Sequence, residues 1–309
     1  AHRWDCHRLC LGGCVVSDSQ GAKLQAHGLR TARAQDAYVD RFEIEATRAL
    51  HLTTRDLREL LAFWSIDEAG RLQPDAANLG RVIALRQSLL DALMANGFEA
   101  ITTAAADAPL DALAAEVLAS SAIANRAATL TPVALDAIAA LKMIRLADLF
   151  ELADDTARAV ERVAVDGMLG LRPLPALLSD LETILDGTAV EARRTYDTAV
   201  ATFSRQIEQL LATGESEERF LYVGPVDLLT RTFCLDLVGT ILTRDEIDEL
   251  DNGQMPNVLI TGGGYNCRHT WSRVSRLDAE LQDLAESGAR LPAVTARVEA
   301  LGRLALETG

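Results

Sequence analysis

The chain has 309 residues, 49% hydrophobic and 24% charged, with a net charge of −15. That length supports one large or two ordinary domains with a sizeable core, and the acidic balance argues against any broad grip on nucleic acid. No apolar run is long enough to cross a bilayer. Aromatics make up only 5%, which leaves the core to Leu, Ala, Ile and Val.

Residues 1–35 are rich in His, Arg, Cys, Gly and Ser with little periodicity, and they read as a loosely ordered arm. Cys6, Cys10 and Cys14 recur at every fourth position near His2 and His7. A metal cluster is conceivable there, although incidental thiols on a tail are the simpler reading. The chain's five cysteines, with Cys234 and Cys267, are an odd count and a poor disulfide framework, which suggests a reducing compartment. His2, Arg3, Asp5, His7 and Arg8 interrupt any apolar signal region.

Residues 36–214 read as a helical body. Leu57, Leu60, Leu61 and Trp64 begin an amphipathic pattern, and Leu79, Val82, Ile83, Leu89, Leu90 and Leu93 continue it up to Gly97. An Ala-rich stretch follows, broken at Pro109. Thr131-Pro132 is a helix start, with the hydroxyl capping and the proline in the first turn. That helix runs toward Asp166, and Gly167, Gly170, Pro173 and Pro175 mark a connection. Thr188–Glu191 has the form of a capping box, launching a helix striped by Val190, Tyr196, Val200, Phe203, Ile207, Leu210 and Leu211 and stopped by Gly214.

The texture changes at residues 215–275, which read as a small α+β unit. Phe220–Val223 is a predicted strand closed by Gly224-Pro225. Thr230–Val238 is a short helix, and Thr243–Glu246 is a second capping box. Asp251-Asn252-Gly253 is a turn. Val258–Ile260 is a predicted strand before Gly262-Gly263-Gly264, and Thr270–Val274 is a third strand. Residues 276–309 return to helix, with Gly288 as a break. The fold class expected is therefore mainly α: a helical body, a small α+β subdomain near the C-terminus and a terminal helical hairpin.

Chemistry concentrates in the small unit. Cys234, Cys267 and His269 supply three candidate zinc ligands, with Asp227 or Asp236 as a fourth. The same residues also suit a disulfide, a pair of buried thiols beside a satisfied histidine, or a Cys267/His269 nucleophile and base. The glycine triplet lacks the Lys-Ser/Thr ending of a phosphate loop. Arg268 is expected to pair with a carboxylate of the acidic helix, Asp245 or Glu249.

One ordered series of residues carries more. It runs Tyr222-Val223-Gly224-Pro225 with Asp227, then Thr230 to Cys234 including Arg231, Gly239, Glu246-Ile247 and Leu250-Asp251-Asn252-Gly253-Gln254. It closes with Gly263-Gly264-Tyr265-Asn266-Cys267-Arg268-His269 and Trp271. This series resembles the C-terminal domain of tailed-phage minor head proteins, the Mu F-like head morphogenesis family. Many members end the domain in His-Pro-Asn-Cys-Arg-Cys; here Asn266-Cys267-Arg268 is kept, Gly264-Tyr265 stands for His-Pro, and His269 replaces the last Cys. Members often carry Cys-x-x-Cys in the first half, where this chain has Arg231 and Cys234.

The resemblance covers residues 219–275 and implies a low-copy structural protein of the virion. Its expected partners are the portal protein, the major capsid protein and other head or neck proteins. It implies a structural role in head assembly or genome delivery rather than an enzyme. With the composition, it leads to the expectation of no membrane, no specific nucleic-acid binding and no cofactor other than the zinc considered above. The alternatives are a Cys267/His269-dependent enzyme or effector carried in the virion and a zinc-stabilised protein-binding module.

Overall fold

The computed structural model describes residues 19–124, 131–170, 172–211, 218–274 and 277–308. The Cys6, Cys10 and Cys14 group with His2 and His7, and the expected stop at Gly214, lie outside them. The fold is mainly α, with a small α+β unit near the C-terminus followed by two helices.

The first helix, α1, spans Gln20–Leu61, capped by the Ser19 hydroxyl, which accepts from Ala22 N–H. This corrects the expected loose arm: from Gln20 onward the sequence is helix. Residues 20–35 look weakly periodic because their buried face is polar or small, with Gln20, Gln25, His27, Gly28, Thr31 and Gln35. At 1.5 Å per residue the helix is about 63 Å long, and it serves both parts of the molecule.

The body continues with α2 (Ala76–Ala95), α3 (Phe98–Ala106), α4 (Ala108–Ile123), α5 (Pro132–Leu169) and α6 (Leu174–Leu210). Thr131 caps α5 as expected, accepting from Ala134 N–H, with Pro132 in the first turn. The Thr188 capping box does not form. Thr188 sits in the middle of α6, and its hydroxyl bonds the Ile184 carbonyl one turn back and the Thr156 hydroxyl of α5. A capping hydroxyl needs an extended backbone before it, and the turns from Leu174 have already taken that backbone. Gly167 likewise lies within α5, where only a hydrogen fits against Leu177.

Two apolar clusters hold the body. One joins Leu50, Leu57 and Leu61 of α1 to Leu85 and Leu89 of α2, Ala157 and Val160 of α5, and Leu181 and Leu185 of α6. The other packs Val39 and Phe42 against Leu113, Ile138, Tyr196, Val200, Phe203 and Ile207.

The small unit contains β1 (Arg219–Val223), α7 (Thr232–Leu237), β2 (Ile241–Thr243), α8 (Arg244–Asp248), α9 (Val258–Thr261) and β3 (Thr270–Val274). The strands form one antiparallel sheet in the order β2-β1-β3, with Leu221 opposite Ile241 and Tyr222 opposite Trp271. The Thr243 capping box is present with both of its hydrogen bonds. Val258–Ile260 is a turn of helix rather than the expected strand: Asn257 enters it at φ 59°, and its carbonyl receives Ile260 and Thr261 N–H. An apolar run this short has no periodicity of its own to separate the two states.

The chain ends in α10 (Ala279–Ser287) and α11 (Pro292–Thr308). Leu281, Leu284, Leu291 and Val294 from this hairpin join Leu24 of α1 and the sheet in a third core. Gln20 N–H also donates to Asp278 Oδ2 at 2.8 Å, while Asp278 N–H reaches Gln20 Oε1 at 3.4 Å. The small unit is thus clamped by both ends of the described chain.

These placements separate residues that look equivalent in sequence. Phe203 is fully buried, whereas Ile83 is 70% exposed. Phe203→Ala is expected to lower unfolding free energy by about 3–5 kcal/mol and Ile83→Ala by less than about 0.5 kcal/mol, both read from urea titrations.

Candidate functional site

Cys234, on α7, and Cys267, just before β3, meet behind the sheet with their sulfurs 3.8 Å apart. His269 joins them, so that the two sulfurs and a ring nitrogen lie within 4.8 Å of one another. All three side chains are buried. The distant cysteine reaches the Cys267/His269 pair as expected, and the two sulfurs are not bonded to each other.

Tyr222 forms the floor of the group. Its ring stacks on His269 at 5.2 Å and tilts against Trp271 at 4.3 Å, and its hydroxyl lies 3.5 Å from each sulfur. Gly263 forms another wall, donating its N–H to Cys267 Sγ at 3.1 Å. A Cβ at this position would collide with Cys234 Sγ, so glycine is required for close approach rather than for phosphate binding. Gly224 presses on the His269 ring from β1, where a Cβ would lie 2.5 Å from Cδ2.

The loop that carries Cys267 is held by main-chain contacts. Asn252 Nδ2 donates to the Gly262 carbonyl, and its Oδ1 accepts from Gln254 and Met255 N–H in the turn completed by Gly253. Arg231 donates to the Gly263 and Tyr265 carbonyls. A guanidinium thus ties the loop to α7. Tyr265 N–H donates to Gln254 Oε1, Asn266 takes a left-handed turn at φ 55° beside Thr198, and Trp271 Nε1 donates to the Val258 carbonyl. Pro225 contributes its carbonyl to the Thr230 hydroxyl, which also donates to Asp227.

Sequence reasoning missed Arg205. It lies on α6, buried, and donates to the carbonyls of His269 (Nε, 2.9 Å), Cys267 (Nη2, 2.6 Å) and Ile260 (Nη1, 3.2 Å). Its one sequence signal is a cation between Phe203 and Ile207 on an apolar stripe.

Arg268 corrects another expectation. Its partners are Asp227 at 2.7 Å and Asp36 of α1 at 3.6 Å, not Asp245 or Glu249. The loop turns Arg268 toward the body, away from the acidic helix α8. Because Asp227 is spent on this pair, it does not serve as the expected fourth ligand of the sulfur group.

Electrostatics follow the geometry. The Cys234 thiol hydrogen-bonds Cys267 and, with Arg205, draws Cys267 well below the usual thiol range despite its burial. The same bond, with burial, pushes Cys234 up, so one sulfur carries the thiolate character. Burial, reinforced by the neighbouring sulfurs, also raises Tyr222, which stays a neutral phenol. Burial works to raise Asp227, but the Arg268 and Thr230 bonds outweigh it and its pKa falls. Asp197 of α6 lies in the same seam and is pushed up to about 6, first by burial and then by Asp36.

A cavity of about 20 Å³ lies beside this seam, lined in part by His27, Gln35, Ser204, Glu208 and Arg268. It holds at most about one water and no substrate.

Two predictions follow the charges. Arg205→Lys keeps the cation but cannot serve three carbonyls, so stability should fall by at least about 2 kcal/mol, with faster amide exchange over residues 260–270. Asp197 is raised on folding, so the stability tied to its protonated form is complete below about pH 4 and is lost as pH rises through about 6. Asp197→Asn should therefore raise the melting temperature at pH 7, and the gain should vanish near pH 4. Comparison with family models, curated proteins and solved structures finds no match to this chain.

Proposed function

We propose that this chain is a structural minor head protein of a tailed phage, present in few copies and docked on the portal or the inner capsid. The observation that carries the reading is how the residues of the Mu F-like series are used. Tyr222, Cys234, Cys267 and Trp271 are core, Asn252 and Arg231 spend their donors on the unit's own backbone, and Arg268 spends its donors on Asp227 and on Asp36 of α1. Side chains committed in this way support a shape that binds other proteins.

The burial of Cys267 and His269 favours that reading over a nucleophile, which must meet its substrate. Leu228 and Leu229 stand 74% and 80% exposed on the loop before α7, and they offer an apolar contact for a protein partner. The net charge of −15 suits a surface that DNA passes without adhering. Among the described residues no helix is long and apolar enough to cross a membrane.

Purified particles from a host that carries this gene provide the test. Quantitative mass spectrometry should find the chain at a small fraction of the major capsid protein and cross-linked to portal or capsid. Its absence from particles that assemble and package DNA normally would refute the assignment.

A further inference from the structure

We infer that Cys234, Cys267 and His269 form a binding site for a zinc-class divalent cation, which staples α7 to the loop before β3. The inference rests on side-chain positions and is independent of the phage assignment.

Tetrahedral geometry gives the first argument. A Zn–S bond of about 2.3 Å implies a sulfur–sulfur edge of about 3.8 Å, and the two Sγ atoms stand 3.8 Å apart. An oxygen corner at about 2.0–2.2 Å from the metal would lie about 3.5–3.6 Å from each sulfur. Tyr222 Oη lies 3.5 Å from both. The open fourth position thus faces the neutral phenol, and the His269 ring nitrogen, within 4.8 Å of both sulfurs, closes on the metal by a small side-chain shift.

The second argument is an unmet need. His269 Nε2 is buried with no hydrogen-bond partner, and native structures rarely bury such a group unless something accepts or donates there. Its ring cannot turn away easily, being held between the Tyr222 stack and Gly224. The loop is also built to support a metal-bound thiolate, because Gly263 N–H already points at Cys267 Sγ.

Charge gives the third. A divalent ion on two thiolates and a neutral imidazole leaves the buried centre with no net charge, which limits the cost of burying it. Each ion bound displaces to solvent the thiol proton that the sulfur pair still carries. Soft sulfur with imidazole selects zinc-class ions over magnesium or calcium.

The full chain, purified under reducing conditions without chelator, should contain one equivalent of zinc by elemental analysis. Cys267→Ser and His269→Gln should each lower it at least tenfold. Cobalt exchanged into the native chain should give thiolate charge-transfer absorption and intense tetrahedral d–d bands, a readout that needs no variant to fold. Three results would overturn the site: metal-free protein with both thiols titrating on unfolding, a Cys234–Cys267 disulfide in the native chain, or zinc retained in Cys267→Ser. The last would place the ion elsewhere, as at Cys6, Cys10 and Cys14.

Discussion

A guanidinium buried in protein must find acceptors for its donors, and Arg205 finds them in three main-chain carbonyls rather than in a carboxylate. Those carbonyls belong to Ile260, Cys267 and His269, the span that connects α9 to β3. The helix carrying Arg205 is anchored on its other turns by Phe203 and Ile207 in the body core. One side chain therefore sets where the sulfur group sits relative to the long helices. Hydrogen bonds to a charged group contribute about 1.5–3 kcal/mol each after desolvation, so Arg205 both stabilises this span and fixes its position. It also places a positive charge beside both sulfurs, which eases a thiolate there.

The same seam holds an imbalance of the opposite sign. Asp36, Asp197 and Asp227 gather around Arg268, and only Asp227 has a short, direct bond to it. Burial raises Asp36 even with Arg268 opposing it. The body and the small unit are thus joined by apolar contact at Leu24 and Val223, by Gln25 bonded to both sides of the Gly224 peptide unit, and by a cluster with more acid than base. Gly28 permits this approach, since a Cβ there would meet Val223 at 2.7 Å.

Much of this was legible where a local rule had no competitor. The Thr131-Pro132 start, the Thr243 capping box, the β1 and β3 strands and the meeting of Cys234 with Cys267 and His269 all follow from residue types and spacing. The failures share a cause: a local signal was outweighed by context. Thr188 has the residues of a cap but sits where helix is already propagating. Val258–Ile260 has strand-like residues, yet an Asn257 in the left-handed region turns the chain into a helical loop. Ile241–Thr243 was missed because three residues carry no alternation, and their strand character comes from pairing with β1. Arg205 and the Asp36 partner of Arg268 depend on contacts across more than fifty positions, which spacing within a window does not encode.

The bond between Gln20 and Asp278 joins residues 258 positions apart. A ribosome adding about 5–20 residues per second needs on the order of 10–50 s to cover that distance. Through that interval Leu24 and its neighbours have emerged while the hairpin that will cover them is still unmade. The start of the first helix is therefore a late piece of the fold, and during synthesis Leu24 and the small, polar face around it are available to a chaperone or to an assembling partner.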